Sequence, residues 1–151
     1  MKEYVKPSEL LKLINSLIES DADCQDCEVA GPVIRLKRPE SDGANWSPDL
    51  IVRGHGTDPV PCSGPASEAI RQVRTKFAIR SEDGFLEDLV FEYQGSHFLA
   101  VCESGTYPDQ AWWYVSVDGG PQDRAFERAP GDRDTESLRG RIIAWWAWTK
   151  A

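Results

Sequence analysis

The sequence predicts one α+β domain in which helices pack on one face of an antiparallel sheet. The chain has 151 residues, the length of a single domain, and its 40% hydrophobic and 28% charged residues are typical of a globular protein. Apolar residues recur at helical spacing in three segments and alternate with polar residues in others. Short connections between the alternating segments favour antiparallel pairing. If the domain divides, its natural sub-units are residues 1–80 and 81–151.

The first helix is predicted to begin near Pro7, with Ser8 as its N-cap and Glu9 in its first turn. Its apolar stripe consists of Leu10, Leu11, Ile14, Leu17 and Ile18. The following segment, 19–28, contains five acidic residues and no basic residue. This composition predicts a loop with a concentrated negative field.

A hairpin is predicted next, with strands over 33–38 and 46–52 joined by a turn at Asp42-Gly43. A second helix is expected over 65–79, because proline suits the first turn of a helix and the apolar residues that follow have helical spacing. The outer face of this helix is predicted to be basic, since it carries Arg71, Arg74 and Lys76.

The second half of the chain is predicted to be rich in strands. Alternation and flanking turns place strands over 87–93, 98–102 and 112–117, and a polar loop over 118–134. Asp134 or the threonine after it is expected to cap a last helix. The predicted order is therefore α-β-β-α-β-β-β-α.

The net charge of −8 comes from 25 acidic and 17 basic residues. Such a charge repels nucleic-acid phosphates and anionic membranes, so we expect neither as a direct partner. The longest apolar run is far shorter than the roughly 20 residues that a membrane span needs, and the opening residues show no secretory signal. A cytoplasmic protein with a basic protein partner is predicted.

Two acidic clusters are candidate partner-binding surfaces. The first cluster consists of Glu19, Asp21, Asp23, Asp26 and Glu28, and the second of Asp83, Glu87, Asp88 and Glu92. Asp88 and Glu92 are expected to share the solvent face of their strand, since they stand an even number of residues apart. No accompanying ligand pattern suggests a metal ion or a catalytic pair, and no catalytic residue is predicted.

Six tryptophans are a large number for a core of this size. Successive strand residues point to opposite faces, so Trp112 and Trp113 are not expected to enter the same core. Tryptophan is enriched at interface hot spots. We therefore add Trp112 and Trp148 to the candidate partner-binding residues.

Four cysteines offer one metal alternative. Cys24 and Cys27 form a CxxC pair, and with His55 and Cys62 they make a Cys-Cys-His-Cys set that zinc accepts. The second pair is wide, and the acids beside the CxxC pair oppose the thiolate form. The sequence favours free thiols and no cofactor over zinc.

Residues 39–46 have the pattern Pro-x-x-Asp-Gly-x-Asn-Trp. With a strand on each side and a helix that ends near Lys76-Phe77, this segment resembles a group of small uncharacterised proteins of bacteriophages and genomic islands. The resemblance covers residues 8–80. It implies that the protein is encoded by a mobile genetic element. It implies no particular activity, since the similar proteins are uncharacterised.

In that setting, small acidic proteins such as anti-CRISPR proteins often act by stoichiometric binding. The resemblance and the charge clusters together predict a non-enzymatic inhibitor that binds a basic surface of a bacterial defence or nucleic-acid-handling complex. One alternative is an immunity protein that neutralises a bacterial toxin, because the same acidity suits a basic nuclease toxin. The other is a small zinc-binding protein or an enzyme.

Overall fold

The chain folds into two compact units. The computed structural model describes residues 1–104 and 110–150. The amino-terminal unit comprises residues 2–37 and 44–82, and the carboxy-terminal unit comprises residue 1, residues 38–43 and residues 83–151. The described ranges contain three α-helices and eight strands, which confirms the α+β class with antiparallel pairing. Their strands lie in three sheets rather than in one continuous sheet.

Two helices and two pairs of strands build the amino-terminal unit. In chain order these are β1 (Glu3–Val5), α1 (Pro7–Ile18), β2 (Cys27–Ala30), β3 (Ile51–Gly54), α2 (Ser63–Lys76) and β4 (Phe77–Ile79). β1 and β4 pair in parallel, whereas β2 and β3 are antiparallel. The α1 stripe is buried at Leu10, Ile14 and Ile18, but Leu17 is 48% exposed.

Two helix ends differ from the prediction, because residues distant in sequence interact with the residues predicted to form them. Ser8 does not cap α1; its backbone N–H and its Oγ donate to the Glu82 carboxylate, with donor–acceptor distances of 2.9 and 3.0 Å. α2 ends at Lys76 rather than at residue 79, because residues 77–79 pair with β1.

The predicted hairpin forms, but of the predicted strands 33–38 and 46–52 only residues 51 and 52 belong to its regular pairing. β2 pairs with β3, and the single bridge between Arg35 and Trp46 continues the same antiparallel register. Each intervening segment contains a proline, which cannot donate a ladder hydrogen bond. The ladder is therefore interrupted where the sequence predicted its centre.

Buried polar side chains join this hairpin to its neighbours. The Asn45 side chain, fully buried, donates to the carbonyl of Ile79 at 2.8 Å and accepts from its N–H at 2.7 Å. Trp46 is also fully buried, and its indole N–H donates to the carbonyl of Phe77 at 3.0 Å. The segment identified by its turn chemistry thus anchors both ends of β4 in the core.

A disulfide joins Cys24 and Cys62. It links two short 3-10 helices, Ala22–Cys24 and Val60–Cys62, and both cysteines are buried. The expectation of free thiols is therefore wrong for this pair, whereas Cys27 and Cys102 are not disulfide-bonded. The sequence could not identify the pair, because it does not show which distant cysteines become neighbours.

The carboxy-terminal unit is one antiparallel sheet with one helix. Its elements are β5 (Asp88–Tyr93), β6 (Ser96–Ser104), β7 (Ala111–Val117), β8 (Asp123–Glu127) and α3 (Thr135–Thr149), and the strands follow one another in chain order across the sheet. β8 lies in the segment predicted as a polar loop. Its mixed sequence carries no clear alternation, and backbone pairing with β7 makes it a strand.

α3 packs on one face of this sheet. Asp134, one of the two residues predicted as its cap, accepts from the Ser137 N–H at 3.0 Å. Leu138 and Ile142 are fully buried, and the Trp146 ring meets Phe98 edge to face at 5.2 Å between centroids. None of the helices in the described residues combines the length and apolar character needed to cross a membrane.

The fully buried carboxylate of Asp132 fixes the start of α3 against the sheet. It accepts from the Trp113 indole N–H at 2.9 Å and from the Ala129 backbone N–H at 2.7 Å. It also forms an ion pair with Arg141 on α3. Because a buried charge is costly without partners, these three contacts determine where the helix lies.

Asp132→Ala should strongly destabilise the protein, because it removes the acceptor shared by Trp113 and Ala129 and leaves Arg141 without this partner. We expect the free energy of unfolding to fall by about 3–5 kcal/mol. Asp134→Ala removes only a helix cap and should cost about 1 kcal/mol. Urea unfolding followed by near-ultraviolet circular dichroism measures both. Equal losses would contradict the central position of Asp132.

Removing the disulfide should destabilise the chain. Cys24→Ala/Cys62→Ala should lower the free energy of unfolding by about 4 kcal/mol, because the bond closes a loop with a sequence separation of 38. Cys27→Ala/Cys102→Ala is the matched control and should cost less. Alkylation of the denatured, unreduced protein should label two cysteines, and labelling of all four without a reductant would disprove the disulfide.

Candidate functional site

The face of the carboxy-terminal sheet opposite α3 carries a row of three side chains. Trp112 is paired with Glu103 on β6 and with Glu127 on β8, and cross-strand partners project from the same face. Trp112 is half-buried, and both glutamates are exposed. Its neighbour Trp113 points to the α3 face and is fully buried, as the alternation of a strand requires.

A cation already occupies this row. The Arg124 guanidinium carbon lies 4.6 Å from the centroid of the Trp112 ring. Cations are attracted to the face of an indole ring, and flanking carboxylates add charge attraction. We call Glu103, Trp112, Arg124 and Glu127 the Trp112 site. Its chemistry suits a guanidinium or ammonium group.

The same pairing of cations with rings recurs through the carboxy-terminal unit. Among its described residues, six basic side chains lie over aromatic rings, at 3.8–5.8 Å from the ring centroids. They are Arg124, Arg128, Arg133, Arg139, Arg141 and Lys150. Four of these six basic residues are nevertheless exposed, as are most of the acidic residues of the unit.

Net charge is unequally divided between the two units. The amino-terminal unit has 11 acidic and 10 basic residues, whereas the carboxy-terminal unit has 14 acidic and 7 basic residues. Seven of the eight net negative charges therefore belong to the carboxy-terminal unit. This division could not be read from the acidic clusters, because the bases of the amino-terminal unit are spread along its sequence.

The second acidic cluster does not form one continuous solvent face. Asp88 is fully buried, which contradicts the expectation that it shares an exposed face with Glu92. Glu87 is half-buried, whereas Asp83 and Glu92 are exposed. Glu92 lines an open pocket of about 460 Å³ and lies 4.0 Å from the Nδ1 of His97. Glu92 and Asp83 remain accessible to a partner, and Asp88 does not.

The first acidic cluster, in the amino-terminal unit, is partly used by the fold. Asp21 caps a short 3-10 helix by accepting from the Asp23 N–H at 2.9 Å. Glu28 forms an ion pair with Arg53 at 2.7 Å, and its carboxylate lies 3.0 Å from the Nε2 of His55, at hydrogen-bond distance. Exposed acidic side chains of this cluster are those of Glu19, Asp23 and Asp26.

The hydrogen bonds from Arg53 and His55 change the titration of Glu28. The side-chain hydrogen bond from Arg53 lowers the pKa of Glu28 below its usual value, and the hydrogen bond from His55 lowers it further. The carboxylate is therefore charged over the whole neutral range, but its charge faces two partners of the same chain. Its charge is less available to an external partner than the sequence suggested.

The Cys-Cys-His-Cys zinc set is not assembled. Cys24 and Cys62 are bonded to each other, so neither is a thiolate ligand in this state. His55 is paired with Glu28 instead. Among the described residues, no three His, Cys, Asp or Glu side chains come together as a metal-binding group.

Trp148 is 80% exposed, on α3 and away from the Trp112 site. Sequence reasoning singled out both tryptophans but missed Glu103, Arg124 and Glu127. Their relation to Trp112 depends on strand register, and β8 was not predicted at all. A comparison of the chain with protein-family models, curated proteins and solved structures finds no match.

Arg53→Ala should raise the pKa of Glu28 toward its ordinary value, because it removes the hydrogen bond with the largest effect. His55→Ala should raise that pKa less. A carboxylate with a lowered pKa favours the folded state above the unfolded-state pKa, and that contribution fades as the pH falls through the folded-state pKa. Titration of Glu28 followed by nuclear magnetic resonance measures each value. No change in Arg53→Ala would show that the ion pair does not persist in solution.

Proposed function

We propose that this chain is a non-enzymatic binding protein of a phage or other mobile element. In this proposal it acts as a stoichiometric inhibitor by covering a basic surface of a bacterial defence or nucleic-acid-handling complex, in the manner of an anti-CRISPR protein. The observation that carries the proposal is the Trp112 site, an indole flanked by two exposed glutamates and already contacted by a guanidinium.

The chemistry of the site selects an arginine or a lysine of a partner. Trp112 offers an aromatic face, and Glu103 and Glu127 offer acceptors on its two sides. An arriving arginine would compete with Arg124 for the ring or stack beside it. Arginines and lysines that bind nucleic-acid phosphates present this group on a basic surface.

The charge of the surrounding unit supports the same class of partner. With 14 acidic and 7 basic residues, the carboxy-terminal unit attracts a basic surface and repels phosphate. Occupation of the basic surface would exclude nucleic acid by competition, so no chemical step is required of the inhibitor. Partner binding of this kind weakens as salt screens the charges.

If the protein acts in the cytoplasm, its disulfide is exposed to reducing conditions. Disulfides are rare in cytosolic proteins because thiol reductants act on them. The proposal therefore requires that the reduced chain keeps its carboxy-terminal unit folded, which the unfolding experiment on Cys24→Ala/Cys62→Ala measures directly.

The test begins with capture of partners from a nuclease-treated bacterial lysate on the immobilised chain. Glu103→Lys/Glu127→Lys should reduce capture of basic nucleic-acid-binding proteins by at least about tenfold, the effect of roughly 1.4 kcal/mol. Glu3→Lys/Asp49→Lys makes the same change in net charge at exposed sites of the amino-terminal unit that lie outside both acidic clusters, and it should have little effect. Equal losses would indicate unspecific electrostatic attraction and contradict the Trp112 site.

The captured complex then distinguishes the modes of action. Inhibition of its nucleic-acid binding or cleavage should be complete at a stoichiometric amount of the chain. Inactivation by much smaller amounts that progresses with time would indicate an enzyme. Recovery of a basic nuclease toxin as the specific partner would favour the immunity-protein alternative.

A further inference from the structure

We infer that the outer face of α3 is a second interaction surface, on which a second copy of this chain binds in antiparallel orientation. This inference concerns Trp148, which lies outside the Trp112 site and has no part in the function proposed above. It depends on the composition of α3, on the shape of its outer face and on the charges at its two ends.

The carboxy-terminal half of α3 is apolar on all sides. No charged residue occurs from Ile142 to Thr149. A helix of this kind is normally covered all round, whereas a helix on a protein surface keeps a polar outer face. In α3 the inner face is buried, but the outer face is exposed at Gly140, Ala144, Ala147 and Trp148, and Trp148 is 80% exposed.

The outer face is complementary to itself. Trp148 projects one turn after Ala144, and Gly140 lies one turn before it. At Gly140 the space that a Cβ atom would occupy has no neighbour within 4 Å. If a two-fold axis passes beside Ala144, each Trp148 lies over the Gly140 of the other copy. The large side chain of Trp148 thus meets the open position at Gly140 in both directions. A two-fold interface requires such a self-complementary surface.

Charges at the helix ends select the antiparallel arrangement. Glu136 is exposed in the first turn, and Lys150 is exposed at the C-cap, with its Nζ 4.5 Å from the centroid of the Trp146 ring. Antiparallel helices centred on Ala144 bring Glu136 of each copy near Lys150 of the other. A parallel pair would instead place like charges together.

The expected dimer is weak. A helix of 15 residues is about 22 Å long, so a contact along one helix pair is small beside a standard protein interface. Each copy also carries a net charge of −8, and the two copies repel each other. Salt screens this repulsion, so dimerisation should strengthen with ionic strength, whereas the proposed partner binding should weaken.

Sedimentation equilibrium of the full chain over a range of concentrations tests the dimer. The wild-type chain should associate reversibly, whereas Trp148→Ala and Gly140→Leu should sediment as monomers at the same concentrations. Leu17→Ala removes an exposed apolar side chain of the amino-terminal unit and should leave association unchanged. Leucine favours helix over glycine, so Gly140→Leu should remain folded, as far-ultraviolet circular dichroism will show.

Charge-exchange variants test the orientation of the helices, and cysteine variants test their register. Glu136→Lys and Lys150→Glu should each weaken the dimer, and the double variant should restore it. Ala144→Cys should give a cross-linked dimer with a short bifunctional maleimide, whereas Ser67→Cys, exposed on α2, should give none above the wild-type level.

The inference is overturned if the wild-type chain is monomeric at every concentration, or if dimers persist in both Trp148→Ala and Gly140→Leu. Failure of the charge exchange to restore association overturns the antiparallel arrangement. Glu103→Lys/Glu127→Lys should leave dimerisation intact, so the outcome is separate from the test of the Trp112 site.

Discussion

The buried carboxylate of Asp132 is the constraint on which the carboxy-terminal unit depends. It joins an indole on β7, a backbone N–H before α3 and a guanidinium on α3. A buried charge is tolerated only with such partners, so the helix has one position over the sheet. Since Trp113 is directed to that buried carboxylate, strand alternation directs Trp112 to the opposite face. The exposed site is thus a consequence of the buried contact.

Aromatic rings organise the charges of the same unit. Six of its seven basic side chains lie over rings, and most of its acidic residues are exposed. With 14 acidic and 7 basic residues, the unit carries an excess of negative charge. In the amino-terminal unit the acids and bases are nearly equal in number, and Glu28 is paired with Arg53 and His55. Clusters of acidic residues in the sequence therefore do not show how much negative charge the folded surface presents to a partner.

The Trp112 site and the outer face of α3 depend on different physics. The first combines an aromatic ring with carboxylates, and its attraction to a basic partner is screened by salt. The outer face of α3 is uncharged along its centre. The two copies that meet there carry the same net charge and repel each other, so salt favours dimerisation by screening the repulsion. Each surface carries a tryptophan that lies at least partly outside the core. Because salt should weaken partner binding and strengthen dimerisation, the direction of the salt dependence distinguishes the two interactions.

The sequence by itself determined the α+β class, the three helices, four of the eight strands of the described residues (β3, β5, β6 and β7) and the presence of tryptophans outside the core, because these follow from local periodicity and from the size of the chain. Asp134 as a helix cap was also readable, since a cap acts within one turn. Tertiary structure alone decided the Cys24–Cys62 pairing, the burial of Asp88 and the strand character of β8. Each depends on residues that are distant in sequence, and no local pattern specifies which strands or thiols become neighbours. The Trp112 site belongs to this second group, because strand register places its two glutamates beside the indole.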